Sequence, residues 1–517
     1  MGYYLGLDAS TQSMTGMIIN TDSSQIIAEE SINYDENFAS KYGVNHGVLD
    51  KGKGTVHSFP LMWVEALDLL LTKFRDKDYD LSSIDAISGS GQQHGTVYLN
   101  KNAPDALANL LPEKTLGEQL RGIFARDTAP VWMDSSTKPQ CYEIERALGG
   151  KQKGIELTGN NVFERFSAAQ IRKFFQEEAK AYHSTTSIAL VSSFMASILV
   201  GKEVPVDAGD GSGTNLMDIQ RRQWSETAME ATSPELSIRM APISKSGETL
   251  GAIHSYFIQK YGFAEDCLVL PFSGDNPCSL IGLGLIEPGS VGLSLGTSDT
   301  FFACMAEPKV SQEGEGCLFA SPDGINFMAL ICFMNGSLAR EAVRDSYGLS
   351  WETFGQVLGK TKPGNDGRLM LPYFTPEIIP NVSAGVFRKS LASNDVDGNV
   401  RAVIEAQAMT SHIHSRWMGL GVSDLYVTGG GSVNHGILQI FANIYGCPLH
   451  RSVTTNTAAL GAALLAYKGH QSTITWKEIV KPFRDSLITA TIYPDVATRD
   501  VYDELIASYA EFESSSM

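Results

Sequence analysis

The sequence is short of positive charge. Lys and Arg number 40 against 58 Asp and Glu, so the 517 residues carry a formal net charge of −18. A nucleic-acid binder needs a basic surface to release counterions, and a protein docking on anionic lipid needs one too. Both partner classes are excluded on that ground. Cysteine is also scarce. The seven, at 141, 267, 278, 304, 317, 332 and 447, are odd in number, irregular in spacing and contain no Cys-x-x-Cys. That excludes a disulfide framework or a zinc site and fits buried thiols in a reducing compartment. Long apolar runs are missing: residues 188–200 come nearest and are broken by three serines, too short to span a bilayer. The N-terminus has no basic segment followed by an apolar one, and Gly6 stands where a myristoylation motif wants Ser or Thr. A cytoplasmic protein is expected. What the chain does have is 43% apolar residues, enough for separate cores in two or three domains.

The order of elements repeats. Residues 3–7 read as a strand ending at Asp8, residues 14–19 as a second, and residues 25–32 as a third after a turn cluster. Ser58 and Pro60 open a helix with Leu61, Val64, Leu67, Leu70, Leu71 and Phe74 on one face. Residues 84–88 are a strand entering a glycine-rich turn. A similar order returns with strands at 290–295, 300–305 and 327–333 and a helix from 338. A long helix over 400–418 then leads to a strand at 425–428 and a triple glycine. The expected fold is α/β, with mixed sheets flanked by helices in two halves, 1–285 and 286–517. Ligands in such folds bind at the carboxyl ends of strands and in clefts between domains.

Several polar groups fall at those strand ends. Asp8, in Leu-Gly-Leu-Asp-Ala-Ser-Thr-Gln, suits Mg²⁺ held through water, or an Asx turn closing the hairpin. Gly89-Ser90-Gly91-Gln92-Gln93-His94-Gly95 is no dinucleotide fingerprint, because its third glycine is misplaced. Its glutamines and histidine suit a polyhydroxylated ligand. Asp275, in Phe272-Ser273-Gly274-Asp275-Asn276, either helps cap the helix that Pro277 enters or serves as a base in phosphoryl transfer. Leu295-Gly296-Thr297-Ser298-Asp299-Thr300 and Thr428-Gly429-Gly430-Gly431-Ser432-Val433-Asn434 read as turns that offer N–H groups and hydroxyls to phosphate. Residues 355–361 only imitate a P-loop, with three residues between the glycines instead of four. His412 and His414 lie two apart in a helical pattern, so they do not share a face for a metal.

Taken together, these segments resemble the FGGY carbohydrate kinases over essentially the full length. The match is carried by Gly91-Gln92-Gln93-His94-Gly95, Val131-Trp132-Met133-Asp134-Ser135-Ser136-Thr137, Glu164-Arg165-Phe166, Asp210-Gly211-Ser212-Gly213, Gly274-Asp275-Asn276-Pro277, Ser294-Leu295-Gly296-Thr297-Ser298-Asp299-Thr300 and Asn335-Gly336-Ser337-Leu338. The resemblance implies two ribonuclease-H-like domains of the actin-like ATPase type, with a cleft between them, residues 1–285 taking the sugar and 286–517 the ATP. It implies phosphorylation of a ketopentose, D-xylulose first, with ATP as co-substrate and Mg²⁺ as cofactor.

Roles follow by position from the same resemblance. Asp275 would be the general base, and Asp8 would place Mg²⁺ through water. Gln93, His94, Arg165, Asp275 and Asn276 would hold the sugar. Ser10, Thr11, Gly296, Thr297, Gly430, Gly431 and Asn434 would line the ATP site, with Trp351 against the adenine. An Asp is ordinarily ionised at neutral pH, so Asp275 is expected to need no tuning. The chain departs from the family pattern at Ser10, where a glycine is usual, and at Thr15, where a basic residue is usual. Another ketose or polyol remains open as substrate, as does a non-catalytic nucleotide-binding protein on the same fold. A homodimer is also left open.

Overall fold

The computed structural model describes residues 2–245, 247–453 and 456–516. The chain forms two compact units: residues 1–286 with 318–327 and 456–486, and residues 287–317 with 328–455 and 487–517.

In the first unit, β1 (Tyr3–Ala9), β2 (Ser13–Asn20) and β3 (Gln25–Asn33) form an antiparallel meander. The expected order omitted two elements that follow. Helix α1 (Tyr34–Tyr42) starts on the Asn33 side chain, which accepts from Glu36 N–H, and stops at Gly43 in the left-handed region. A hairpin of Leu49–Gly52 and Thr55–Ser58 then precedes α2 (Pro60–Asp76). Helix α1 buries only Tyr34 and Phe38, so its apolar stripe is too thin to read as periodicity; its Asn and Gly stops were the available signal.

Strand β4 (Ile84–Gly91) runs parallel to β1 and reaches three residues further than expected. Short strands β5 (Leu268–Val269) and β6 (Ser273–Gly274) lie parallel to β4 on its other side. The register places Asp8 between Ser90 on β4 and Thr15 on β2, and Ser273 beyond Ser90. Asp8 is therefore the penultimate residue of β1, inside the strand and not after it. Helix α3 (Asp275–Gly282) leaves directly from β6.

Glycine sets the depth at which α3 and the sheet are packed. The helix Thr457–His470 lies across β1 and α3. A Cβ on Gly6 would sit 2.0 Å from the Ala459 carbonyl, and one on Gly461 would sit 1.8 Å from the Cys278 carbonyl. Gly282 faces Thr457 at 2.0 Å in the same way. Backbone meets backbone at all three contacts, so no side chain larger than hydrogen is accommodated. This fixes the axis of α3, and with it the direction of Asp275.

The second unit is built on a sheet in which β9 (Phe327–Phe333), β8 (Asp299–Met305), β7 (Ser290–Leu295), β10 (Asp424–Thr428), β11 (Leu449–Ser452) and β12 (Ile488–Ile492) lie in that order. Strands β7 and β10 are parallel, β7 and β8 antiparallel. Helices α4 (Ser337–Ser346), α5 (Trp351–Lys360), α6 (Val396–His414), α7 (His435–Tyr445) and the C-terminal α8 (Arg499–Ser516) belong to this unit. The P-loop imitation at 355–361 falls within and just after α5.

His414 ties α6 to α8. Its Nδ1 lies 2.8 Å from Glu315 Oε1 and its Nε2 3.1 Å from Glu513 Oε2, while His412 points elsewhere and packs edge-on against Tyr445. No cluster of three or more His, Cys, Asp or Glu suited to a metal exists among the described residues. Hydrogen bonds to the two glutamates outweigh burial and lift His414 from 6.5 to about 9, worth roughly 3 kcal/mol. The raised value belongs to the folded state. The stabilisation is therefore complete below pH 6.5 and disappears as pH rises through 9. His414→Ala is expected to lower the melting temperature by about 5–10 °C at pH 6. The gap between variant and parent should narrow at pH 10. Calorimetry at the two pH values checks it; a gap independent of pH would remove the charge from the account.

Candidate active site

The first unit gathers most of the sugar-side residues around the carboxyl ends of β1, β4 and β6. Asp8 is buried, and its carboxylate accepts from the Ser90 hydroxyl at 2.6 Å and from the Ser10 hydroxyl. Two hydroxyl donors leave lone pairs on both oxygens. Burial raises its pKa, and the two serines oppose that. Ser10 N–H closes the hairpin on the Ser13 carbonyl. The Thr11 hydroxyl accepts from the Trp132 indole at 2.8 Å and faces Gln92 Oε1 at 3.5 Å. Thr15 is buried and donates to Ser31 Oγ, so the place of the expected cation is filled by a neutral hydroxyl pair.

Asp275 is the first residue of α3, whose N-cap is Gly274. It is not the cap. Its Oδ1 accepts from Asn276 N–H at 2.8 Å, Gln93 N–H at 3.3 Å and Asn276 Nδ2 at 3.1 Å. This carboxyl does not keep the ordinary Asp range expected from sequence. Burial, with Asp8 adding a like charge, pushes Asp275 up to about 7 against the pull of those N–H groups. A group poised near neutrality is better matched to accepting a proton than an ordinary Asp.

Gln93 and His94 complete the cluster. Gln93 Oε1 accepts from Asn276 Nδ2 at 3.0 Å. Glycine at 274 leaves room for it, since a Cβ there would lie 2.4 Å from Gln93 Cγ. His94 adopts φ +74, unusual for a residue with a Cβ, and stacks on Phe166 with centroids 4.1 Å apart. Its Nδ1 lies 2.6 Å from the Gly213 carbonyl, which can only accept. Burial, with Arg165 adding a like charge, lowers the imidazole to about 3, so it is neutral at pH 7. The neutral ring must carry its proton on Nδ1, leaving Nε2 as a pure acceptor for a hydroxyl. Arg165 stays outside this hydrogen-bonded cluster, 5.1 Å from the Phe163 ring centroid.

Some neighbours were not assigned a role from sequence. Asp207 accepts from the Ser273 hydroxyl at 2.5 Å and from Gly209 N–H at 2.8 Å, bracing β6 just before Asp275. Asp210 accepts from the Ser192 hydroxyl through Oδ2, and its buried Oδ1 has no partner. Burial pushes Asp210 up to about 8, with Asp275 and Asp207 adding to the rise. The side-chain nitrogens of Gln92 and Gln93 are likewise buried without partners. Orphaned buried donors and acceptors are costly, and here both kinds lie near Asp275. A polyhydroxylated ligand would satisfy both. The signal for Asp210 was present in Asp210-Gly211-Ser212-Gly213, but only the fold brings it to Asp275. Asp134 of the 131–137 motif is structural: it accepts from Val56 N–H, Ser136 N–H and Gln170 Nε2.

The second unit holds the other candidates. Gly296 and Thr297 form the turn between β7 and β8, and Thr297 is exposed. The turn Gly429–Gly431 packs against the end of the same strand. Gly429 has φ +85, and a Cβ on it would lie 2.7 Å from the Leu295 carbonyl. A Cβ on Gly431 would lie 2.9 Å from Leu295 Cβ, whereas Gly430 faces open space. Asn434 caps α7 by accepting from Ile437 N–H at 3.2 Å and sits against Gly355 of α5. Trp351 opens α5. It is exposed, with the Arg344 guanidinium 4.5 Å from its ring centroid. So Gly296, Thr297 and Gly431 share one strand end, while Asn434 and Trp351 lie on the paired helices α5 and α7.

Comparison with known proteins identifies the family. The family model described as FGGY family of carbohydrate kinases, N-terminal domain, matches residues 127–282, and the C-terminal domain model of the same family matches 291–469. A xylulose kinase of Rattus norvegicus is 39% identical over 522 residues, covering 98% of this chain and 96% of its own. Xylulose kinase 2 of Arabidopsis thaliana is 39% identical over 489 residues, 90% of this chain and 87% of its own. The crystal structure of a xylulose kinase from Rhodospirillum rubrum superposes with a TM-score of 0.83 over 99% of this chain and 98% of that one. At 18% identity that likeness speaks for the fold alone.

Proposed function

We infer that this chain, which belongs to the FGGY family of carbohydrate kinases and has their actin-like ATPase fold, transfers the terminal phosphoryl group of ATP to D-xylulose. The single observation that carries the reading of the site is Asp275. It is a half-buried carboxyl raised to about 7, at a helix start beside unpartnered groups of Gln93 and Asp210. The choice of sugar rests on relatives named xylulose kinases at 39% identity over nearly the whole chain.

In this reading Asp275 takes the proton from the attacking hydroxyl of the sugar. Its hydrogen bonds to Asn276 and Gln93 fix one oxygen and leave the other free to accept. His94 Nε2 accepts from a second hydroxyl, and the unpartnered Gln93 amide donates to a sugar oxygen. Protonated Asp210 donates as well. On the nucleotide side, Thr297 and the glycine turn 429–431 present N–H groups and a hydroxyl to the phosphates, and Trp351 offers its exposed face to the base. Phosphoryl transfer asks for positioning and charge neutralisation more than for covalent chemistry.

Mg²⁺ fits this donor set. Asp8 is a single buried carboxylate with lone pairs to spare, and no all-protein metal cage exists among the described residues. Mg²⁺ commonly binds through one or two carboxylates, waters and substrate phosphates. When bound it would neutralise charge on the transferred phosphoryl group. Six of the seven cysteines are buried, in keeping with a reducing cytoplasm. No helix among the described residues is long and apolar enough to cross a membrane.

A coupled ADP-release assay over a panel of ketoses and polyols tests the function. The expected result is turnover with D-xylulose at a kcat/KM at least about tenfold above any other sugar, the discrimination that one buried hydrogen bond can supply. A higher value for another ketose or polyol would reassign the substrate. Turnover with none would leave a nucleotide-binding protein without this chemistry.

A further inference from the structure

Arg340 is the most deeply buried cation in the second unit, at 1% exposure on the first turns of α4. Its guanidinium grips Asp299 with two prongs, Nη1 to Oδ2 at 2.8 Å and Nη2 to Oδ1 at 2.9 Å. Nη1 also donates to Gln407 Oε1 at 3.0 Å, and Nη2 to the Gly296 carbonyl at 3.1 Å. Ser337 N–H donates to that same carbonyl at 2.8 Å. Gln407 in turn donates to the carbonyls of Asn335 and Gly336 at 2.7 and 2.8 Å. The Asn335-Gly336-Ser337 segment, the Gly296 turn and α6 therefore meet on one side chain. A Cβ on Gly431 would lie 3.5 Å from Nη2, so the second glycine turn rests against it too.

The arrangement has a directional consequence. In a trans peptide the C=O and the following N–H point opposite ways. Two donors hold the Gly296 carbonyl inward, so the Thr297 N–H must point outward, at an exposed residue of the turn. We propose that Arg340 is the positioning residue of the nucleotide half-site, aiming the Thr297 N–H at the terminal phosphate of ATP by holding the Gly296 carbonyl inward. This rests on the kinase reading above. Arg340 does not act as a phosphate-binding cation, because Asp299 neutralises it and protein covers it. Its effect is geometric, and a lysine cannot reproduce it: an ammonium has no planar fork to hold a carboxylate and a carbonyl at once.

The test separates aim from stability. In Arg340→Met/Asp299→Asn neither charge is left buried alone, the situation that makes broken ion pairs costly. Arg340→Lys keeps the charge and loses the fork. Calorimetry on the full chain compares a non-hydrolysable ATP analogue with ADP, each with Mg²⁺. The expected result in both variants is an analogue affinity about tenfold weaker, the scale of one charge-assisted hydrogen bond, with ADP affinity held within about threefold. Unchanged analogue affinity in a cooperatively melting variant overturns the proposal, as does equal weakening of ADP and analogue. If the double variant does not fold, Arg340→Lys decides alone. Loss of cooperative melting in both assigns Arg340 to folding and overturns it also. The wild-type sugar assay is independent: a protein that binds both nucleotides yet does not turn over D-xylulose refutes the function and leaves the Arg340 comparison standing.

Discussion

Asp275→Ala is expected to lower kcat by about 10²–10⁴-fold, the usual worth of a positioned general base, while the affinity for an ATP analogue stays within about twofold. The reason is geometric as well as chemical. Helix α3 leaves the sheet directly at Gly274, and the close approaches of Gly282 and Gly461 fix its axis. The carboxyl therefore cannot be replaced by a neighbour that swings in. Steady-state turnover with D-xylulose and calorimetry with the nucleotide analogue check the two halves of the claim. A variant with an undiminished turnover number would remove Asp275 from the chemistry.

The same residue predicts a pH profile. The base must be ionised to accept a proton, and burial together with Asp8 holds it up at about 7. The kcat/KM for sugar should therefore fall about tenfold per pH unit below 7 and flatten above it. An ordinary carboxyl would put that limb near 4 and leave the rate flat through neutrality.

Asp8→Asn is expected to lower kcat/KM for MgATP by about 10²–10³-fold, the scale of lost charge stabilisation by a metal held in place. Asn keeps the shape and can still meet Ser90 and Ser10. What it loses is the negative charge that would hold Mg²⁺. A second readout follows from the electrostatics. Asp8 is the second cause of the raised Asp275, after burial, so the acid limb of the residual activity should move to lower pH. Rates measured against free Mg²⁺ and against pH check both. Full activity at ordinary Mg²⁺ would place the metal elsewhere, and an unmoved limb would uncouple the two carboxyls.

Much of the molecule was legible because its signals are local. Strand periodicity marked residues 290–295 and 327–333, which fold as Ser290–Leu295 and Phe327–Phe333. Helix α1 was missed because two buried residues make no stripe. The run 84–88 was ended too early because glycines at 89 and 91 read as a turn, whereas they continue β4 beside β1 and β6.

What the sequence determined by itself was the class of protein: acidic, poor in cysteine, without a long apolar run, and carrying ordered motifs that tied it to one kinase family. Residue identity and spacing suffice for that. Only the tertiary structure decided the protonation and aim of the groups. Asp275 is raised because burial and Asp8 surround it, and Asp8 lies 267 positions away in the chain. Asp210 is raised, and His94 stays neutral, for the same reason: desolvation depends on what the fold packs around a group. Arg340 looked like one more helix residue until the sheet brought Asp299, Gly296 and Gln407 to its guanidinium. Charge, dielectric and peptide direction are properties of the surroundings, and the surroundings exist only once the chain has folded.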